Sequence, residues 1–126
     1  MSSNPAPGFI KNPSHCVHIS SFQGRVVIRI CGEVIADTRD AFRVEESGYD
    51  PVYYIPRRDI LMGLVKRSEQ LTTCPYKGNA SYYGFSVGSS CTENAAWSYE
   101  TPYDEVAEIA GYLAFYANRV DLLVLP

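Results

Sequence analysis

The chain has 126 residues, with an apolar fraction of 46% and a charged fraction of 20%, the make-up of one soluble globular domain with a single core. Eleven basic and fourteen acidic residues leave a net charge of −3, which argues against a basic surface for nucleic-acid backbones. No apolar run is long enough for a spanning helix, and the first residues lack the basic start and apolar stretch of a secretory signal. The expected setting is the cytoplasm, with no membrane and no nucleic acid as partner.

Residues 1–14 are rich in Pro, Ser and Asn without periodicity and read as a flexible or surface-laid arm. The arm is taken to residue 20, with one β-rich domain over residues 21–126. His15-Cys16-Val17-His18 has the look of a metal cluster. No second ligand group completes four-fold coordination, so the reading is the start of a strand, with no metal and no cofactor.

Residues 25–31 alternate, with Val26, Ile28 and Ile30 on one face. Gly32 punctuates them and residues 33–37 return as a hairpin. Residues 41–46 alternate again, with Phe42 and Val44 inward. Residues 47–51 are a loop by composition, and Val52-Tyr53-Tyr54-Ile55 is a short strand closed by Pro56. Residues 57–66 change period: Ile60, Leu61, Leu64 and Val65 fall on one helical face, with Lys66 and Arg67 at the end that favours cations.

A loop follows, Thr72-Thr73-Cys74-Pro75-Tyr76-Lys77-Gly78-Asn79, which places a thiol, a phenol and an ammonium on a Pro/Gly turn. Residues 80–87 form a strand, Gly88-Ser89 a hairpin turn, and residues 90–99 the returning strand. Strict alternation puts Cys91, Glu93, Ala95, Trp97 and Tyr99 on one face of it. Thr101-Pro102-Tyr103-Asp104 starts a second helix, with Val106, Ile109 and Ala110 on its buried side and Gly111 at its end. Spacing would let residues 112–116 prolong that helix; their aromatic content and the preceding glycine favour a strand. Residues 120–125 are a final apolar segment. The expected fold is mainly β, an antiparallel barrel-like or folded-over sheet of about seven or eight short strands with two short helices.

The chain carries four cysteines without a C-x-x-C pair and ten tyrosines. The cysteines read as free thiols in a reducing compartment. The tyrosines suit strands and pocket walls, each offering an apolar face and one polar tip.

Several segments in order resemble a known family: Gly32-Glu33-Val34-Ile35-Ala36-Asp37, Pro51-Val52-Tyr53-Tyr54-Ile55-Pro56-Arg57, Cys74-Pro75-Tyr76-Lys77-Gly78, Glu93-Asn94-Ala95-Ala96-Trp97-Ser98-Tyr99 and Ala110-Gly111-Tyr112-Leu113-Ala114-Phe115-Tyr116. Over residues 25–124 the chain is similar to domain of unknown function 427, a family of small bacterial and fungal proteins. The resemblance implies no established activity, although the family sometimes carries the label nucleotidyltransferase-like. The residues do not support that label. Gly88-Ser89-Ser90-Cys91 joins two strands without a helix N-terminus behind it, and no Asp-x-Asp follows to hold Mg²⁺.

Three functional readings remain. The leading one is a small anionic or aromatic ligand in a pocket walled by Tyr54, Tyr82 and Trp97. Lys77 and Arg57 would meet an anion at one rim. The second is an enzyme. Cys74 would be a nucleophile activated by Lys77, although its only base would be His15 or His18. Glu93 would be an acid/base if its strand face is buried, and an ordinary strand charge if it is not. The third is a non-catalytic module that forms a homodimer through its apolar C-terminal segment.

Overall fold

The computed structural model describes residues 4–126, with the side chains of Ser90 and Cys91 outside that description. Its elements are α1 (Pro7–Lys11), β1 (Val17–Ser21), β2 (Arg25–Ile30), β3 (Glu33–Thr38), β4 (Phe42–Glu46), β5 (Val52–Ile55), β6 (Val65–Cys74), β7 (Gly78–Val87), β8 (Ser90–Tyr99), β9 (Leu113–Phe115) and β10 (Asp121–Leu125). Every pairing is antiparallel. Seven strands form one sheet in the order β1-β4-β5-β9-β8-β7-β6, and three form a second, β10-β2-β3. The folded-over arrangement fits; the barrel does not close. No helix among the described residues is long and apolar enough to cross a membrane.

Alternation decides which face of the large sheet each residue joins. Ile55, Tyr83, Phe85, Leu113 and Phe115 point to the three-stranded sheet, where they meet Val26, Ile28, Ile30 and Ile35. Tyr54, Tyr82 and Ala114 point the other way, where Val106 and Ile109 cover part of the face. The large sheet is thus sandwiched between the small sheet and a 3-10 segment, Asp104–Ile109. Burial of these side chains drives both contacts.

Two expected helices are absent in α form. Residues 57–66 make only two 3-10 turns, Arg57–Asp59 and Met62–Leu64. Between them Ile60 is extended and bridges Ala36, and Leu61 N–H donates to the Ile35 carbonyl at 2.8 Å. The backbone of this segment is claimed by β3, which leaves no run of local helical bonds. Lys66 and Arg67 accordingly open β6 rather than end a helix. In the second case Tyr103 N–H is taken by the Lys77 carbonyl and Asp104 N–H by that of Asn4, both at 2.9 Å. Val106 leaves helical geometry at φ −127°, so only 3-10 turns form. Residues 112–116 are strand at their centre, as β9.

The expected loop beginning at Thr72 is a hairpin. Cys74 pairs with Gly78, which leaves Pro75, Tyr76 and Lys77 as the connection, and Gly78 at φ +119° supplies the left-handed residue that a three-residue turn uses.

The shared face expected for Cys91, Glu93, Ala95, Trp97 and Tyr99 is also broken. Between Tyr83↔Ala96 and Phe85↔Thr92 one residue of β7 faces three of β8, a bulge with Asn94 at φ +49°. Ala95 and Ala96 both turn to the inter-sheet core, whereas Glu93 is exposed. The part of that expectation resting on Cys91 lies outside the described residues.

Residues 4–11 lie against the domain, whereas residues 17–20, counted with the arm, form most of β1 at the edge of the large sheet. Asn4 N–H donates to Asp104 at 2.7 Å and Ala6 N–H to Glu105 at 2.9 Å. Gly8 N–H meets the Pro75 carbonyl at 2.9 Å, which seats α1 on the β6–β7 turn.

Candidate functional site

Register builds the site. Phe42 pairs with Tyr54, Tyr54 with Ala114, Ala114 with Trp97, and Trp97 with Tyr82. One row of side chains therefore runs across five strands, with a single methyl group at its centre. The short side chain of Ala114 leaves Tyr54 and Trp97 to meet above it. Their rings stand at 85° with centroids 6.3 Å apart, and Trp97 Nε1–H donates to Tyr54 Oη at 3.2 Å. Tyr116 closes the other side of Trp97 at 4.5 Å.

This corner is part of a cavity of about 490 Å³ lined by Val44, Glu46, Tyr49, Asp50, Val52, Tyr54, Lys77, Tyr82, Trp97, Tyr99 and Tyr116. Burial raises the pKa of Tyr54 and Tyr99, and burial together with a hydrogen bond donated to Tyr82 pushes Tyr116 up to about 12. At neutral pH these phenols are donors and not charges.

Lys77 stands at the charged end. The tight turn folds it over the sheet, so that only 6% of it is exposed. Its ammonium donates to Glu46 Oε1. The other carboxylate oxygen lies 2.8 Å from His15 Nε2. His15 is fixed in turn by stacking on Tyr76 at 3.9 Å, and Phe9 of α1 meets Tyr76 edge-on at 5.1 Å. Gly8 permits this seat, since a Cβ there would lie 2.7 Å from the Tyr76 ring. A buried lysine is stable only when paired. Glu46 is that partner, with both of its oxygens engaged.

Tyr54, Tyr82, Trp97 and Lys77 therefore come together. Arg57 does not join them. It lies on the opposite face of the sheet, where Nε donates to the Gly111 carbonyl at 2.6 Å and the guanidinium sits 5.4 Å from the centre of the Tyr83 ring. The expected rim shared by Lys77 and Arg57 is thus replaced by two separate clusters, because β5 ends on one face and the β6–β7 turn folds over the other. Cys74 is half-buried among the apolar residues around Tyr54 and does not line the cavity. The ammonium expected to activate it goes to Glu46. Glu93 stands in a separate cleft with Lys66, Arg67 and Asn94. His18 and Cys16 are exposed and do not converge with His15.

Glu46 escaped the sequence reading, and His15 entered it only as a metal or base candidate, not as a partner of Glu46. A signal for Glu46 was there: it follows Phe42 and Val44 at the same period-2 spacing, so an inward Val44 puts Glu46 inward too. No local pattern gives His15, whose place depends on how α1 seats.

Around Arg57 a second polar cluster forms. Glu100 accepts from Tyr83 Oη and lies 3.7 Å from both Arg57 and Arg67. The Tyr83 hydrogen bond first, then Arg67 and Arg57, hold its carboxyl below the usual range. A depressed carboxyl stabilises the fold above its unfolded pKa, about 4.3, and loses that contribution as pH falls through the folded value. Glu100→Gln is therefore expected to be less stable than wild type at pH 7 by about 0.5 kcal/mol, a small figure because the group is solvent-screened. Urea midpoints of the two proteins should converge in acid; a gap that persists below about pH 3 would exclude this electrostatic origin.

By fold and site the chain is an antiparallel two-sheet protein with a lysine-bearing aromatic cavity on the larger sheet. It belongs to the family described as Domain of unknown function (DUF427), which it matches over residues 18–125. No curated protein matches the chain.

Proposed function

We propose that this protein binds a small aromatic molecule in the cavity on its large sheet. The observation that supports it is the perpendicular Tyr54–Trp97 corner facing a buried ammonium. Aromatic walls favour a flat, apolar ligand body. Lys77 has three N–H groups, and Glu46 is its one hydrogen-bond partner among the described residues. The remaining donors suit a carbonyl or a single carboxylate on the ligand. Glu46 already balances the lysine and Asp50 adds a negative charge to the lining, so a polyanion such as a triphosphate is disfavoured.

The other readings have narrower support. An enzyme built on Glu93 or Cys74 would use groups outside this cavity. Self-association would rest on β10, the outer strand of the small sheet, where Leu123, Val124 and Leu125 are exposed.

Trp97 is the only tryptophan, so intrinsic fluorescence reports on the cavity wall without a label. Titration with 4-hydroxybenzyl alcohol, benzamide and benzoate is expected to give a saturable change in emission for at least one of them, lost in Tyr82→Ala. Flat traces to millimolar concentration, with no cavity amide shifts by NMR, would remove the proposal.

A further inference from the structure

We infer that Lys77 is an imine-forming lysine and that the cavity takes an aldehyde or ketone; this rests on the cavity being a ligand site. Three features converge. Lys77 is buried at the charged end of the cavity. A proton acceptor, Glu46 Oε1, is in direct contact with its Nζ. That carboxylate is held at its other oxygen by His15, 2.8 Å away. With a carboxylate already in contact with Nζ, the base that frees the amine as a carbonyl arrives is in place before the ligand enters. A desolvated lysine beside an acid/base is a competent carbonyl nucleophile.

The step balances without a further reagent. Glu46 takes a proton from the Lys77 ammonium. The free amine attacks the carbonyl carbon, a C–N bond forms, and the π pair moves to oxygen, which receives the proton back from Glu46. Glu46 then removes a second proton from nitrogen and delivers it to the hydroxyl. Water leaves, and an iminium remains on Lys77. One ammonium and one carbonyl have become one iminium and one water, and Glu46 is again a carboxylate. His15 is a positioning residue: it fixes Glu46 and touches no substrate.

The chain has three lysines, and Lys11 and Lys66 are both exposed, so chemistry and accessibility make opposite forecasts. The protein is incubated with 4-hydroxybenzaldehyde and sodium cyanoborohydride, which reduces an imine to a stable amine, and the adducts are mapped by mass spectrometry. Lys77 is expected to label about tenfold faster than Lys11 or Lys66, and Glu46→Gln to slow it by about the same factor. His15→Ala should slow labelling at Lys77 while leaving binding of 4-hydroxybenzyl alcohol, read by Trp97 emission, in place. Lys77→Arg, which keeps the cation, checks that the labelled peptide is the right one and stays informative if Glu46→Gln fails to fold. Labelling that follows exposure, with Lys77 the slowest, overturns the inference. If the alcohol binds while Lys77 stays unlabelled, the imine chemistry fails and the ligand site stands. If neither occurs, both fail.

Discussion

Glu46→Ala is expected to lower the stability of the protein by about 3 kcal/mol, measured by urea unfolding. The substitution removes little apolar contact. It leaves the Lys77 ammonium inside the protein without its partner, and it strips His15 of the acceptor at 2.8 Å. Lys77→Met should cost less, because Glu46 then keeps His15 and the methionine stem still fills the space. The double variant should recover much of the loss, since no buried charge is left unpaired. A coupling of about 2 kcal/mol is the expected size for two groups in direct contact. Additive single and double variants would show that the pair is not what keeps Lys77 inside.

The second large effect is expected at Gly84, which lines the separate cleft beside Glu93. A Cβ there would stand 2.8 Å from the Thr92 carbonyl oxygen and 3.2 Å from the Glu93 Cα. Both are backbone atoms of the β8 bulge and have no rotamer with which to yield. Gly84→Ala should therefore cost about 2–3 kcal/mol and lower the thermal midpoint by about 10 °C. Gly63→Ala is the matched control: a Cβ at that position has nothing within 4 Å, and its midpoint should stay within a few degrees. An equal response of the two variants would contradict the close approach at the bulge.

Much of the strand layout was legible: β2 and β4 send an alternating set of apolar residues to a core (Val26, Ile28 and Ile30; Phe42 and Val44), and β5, buried on both faces, stood out as a short β-branched and aromatic run. β6 was not, and its composition explains why. As an outer strand it is exposed or half-buried along its whole length, so most of its residues are polar on both faces; its start reads as the end of a helix and Thr72, Thr73 and Cys74 as a loop. Such polarity is how sheets protect an edge. The misread helices share another cause. Ile60, Leu61, Leu64 and Val65 do have helical spacing, but tertiary bonds to β3 took the backbone groups that a helix needs.

The site was half legible. Tyr54, Tyr82 and Trp97 stood out as aromatic strand residues, and Lys77 stood out for its turn. The environment of Lys77 did not. Lysines on Pro/Gly turns are solvated in the ordinary case, and only the fold-over of the turn onto Glu46 makes this one buried. Arg57 was grouped with Lys77 because both were cations near strand ends; their opposite faces follow from register, which single-strand patterns do not fix.

His15, Glu46 and Lys77 are separated by 31 residues at each step, and that spacing sets an order of events. Each closure costs chain entropy before the contact repays it, so the charged cluster completes only after β4 and the β6–β7 hairpin are in place and α1 has docked. The reverse also holds. Residues 4–11 are fastened by backbone bonds at Asn4, Ala6 and Gly8, by the buried Ala6 and by Phe9 against Tyr76, a small set beside the ladders of the sheet, and such segments open at lower cost than the whole fold. Their release would take Phe9 from Tyr76 and loosen the stack on His15, while Cys16 stays bonded to Ser47 and the sheet, the aromatic corner and Lys77 stay assembled.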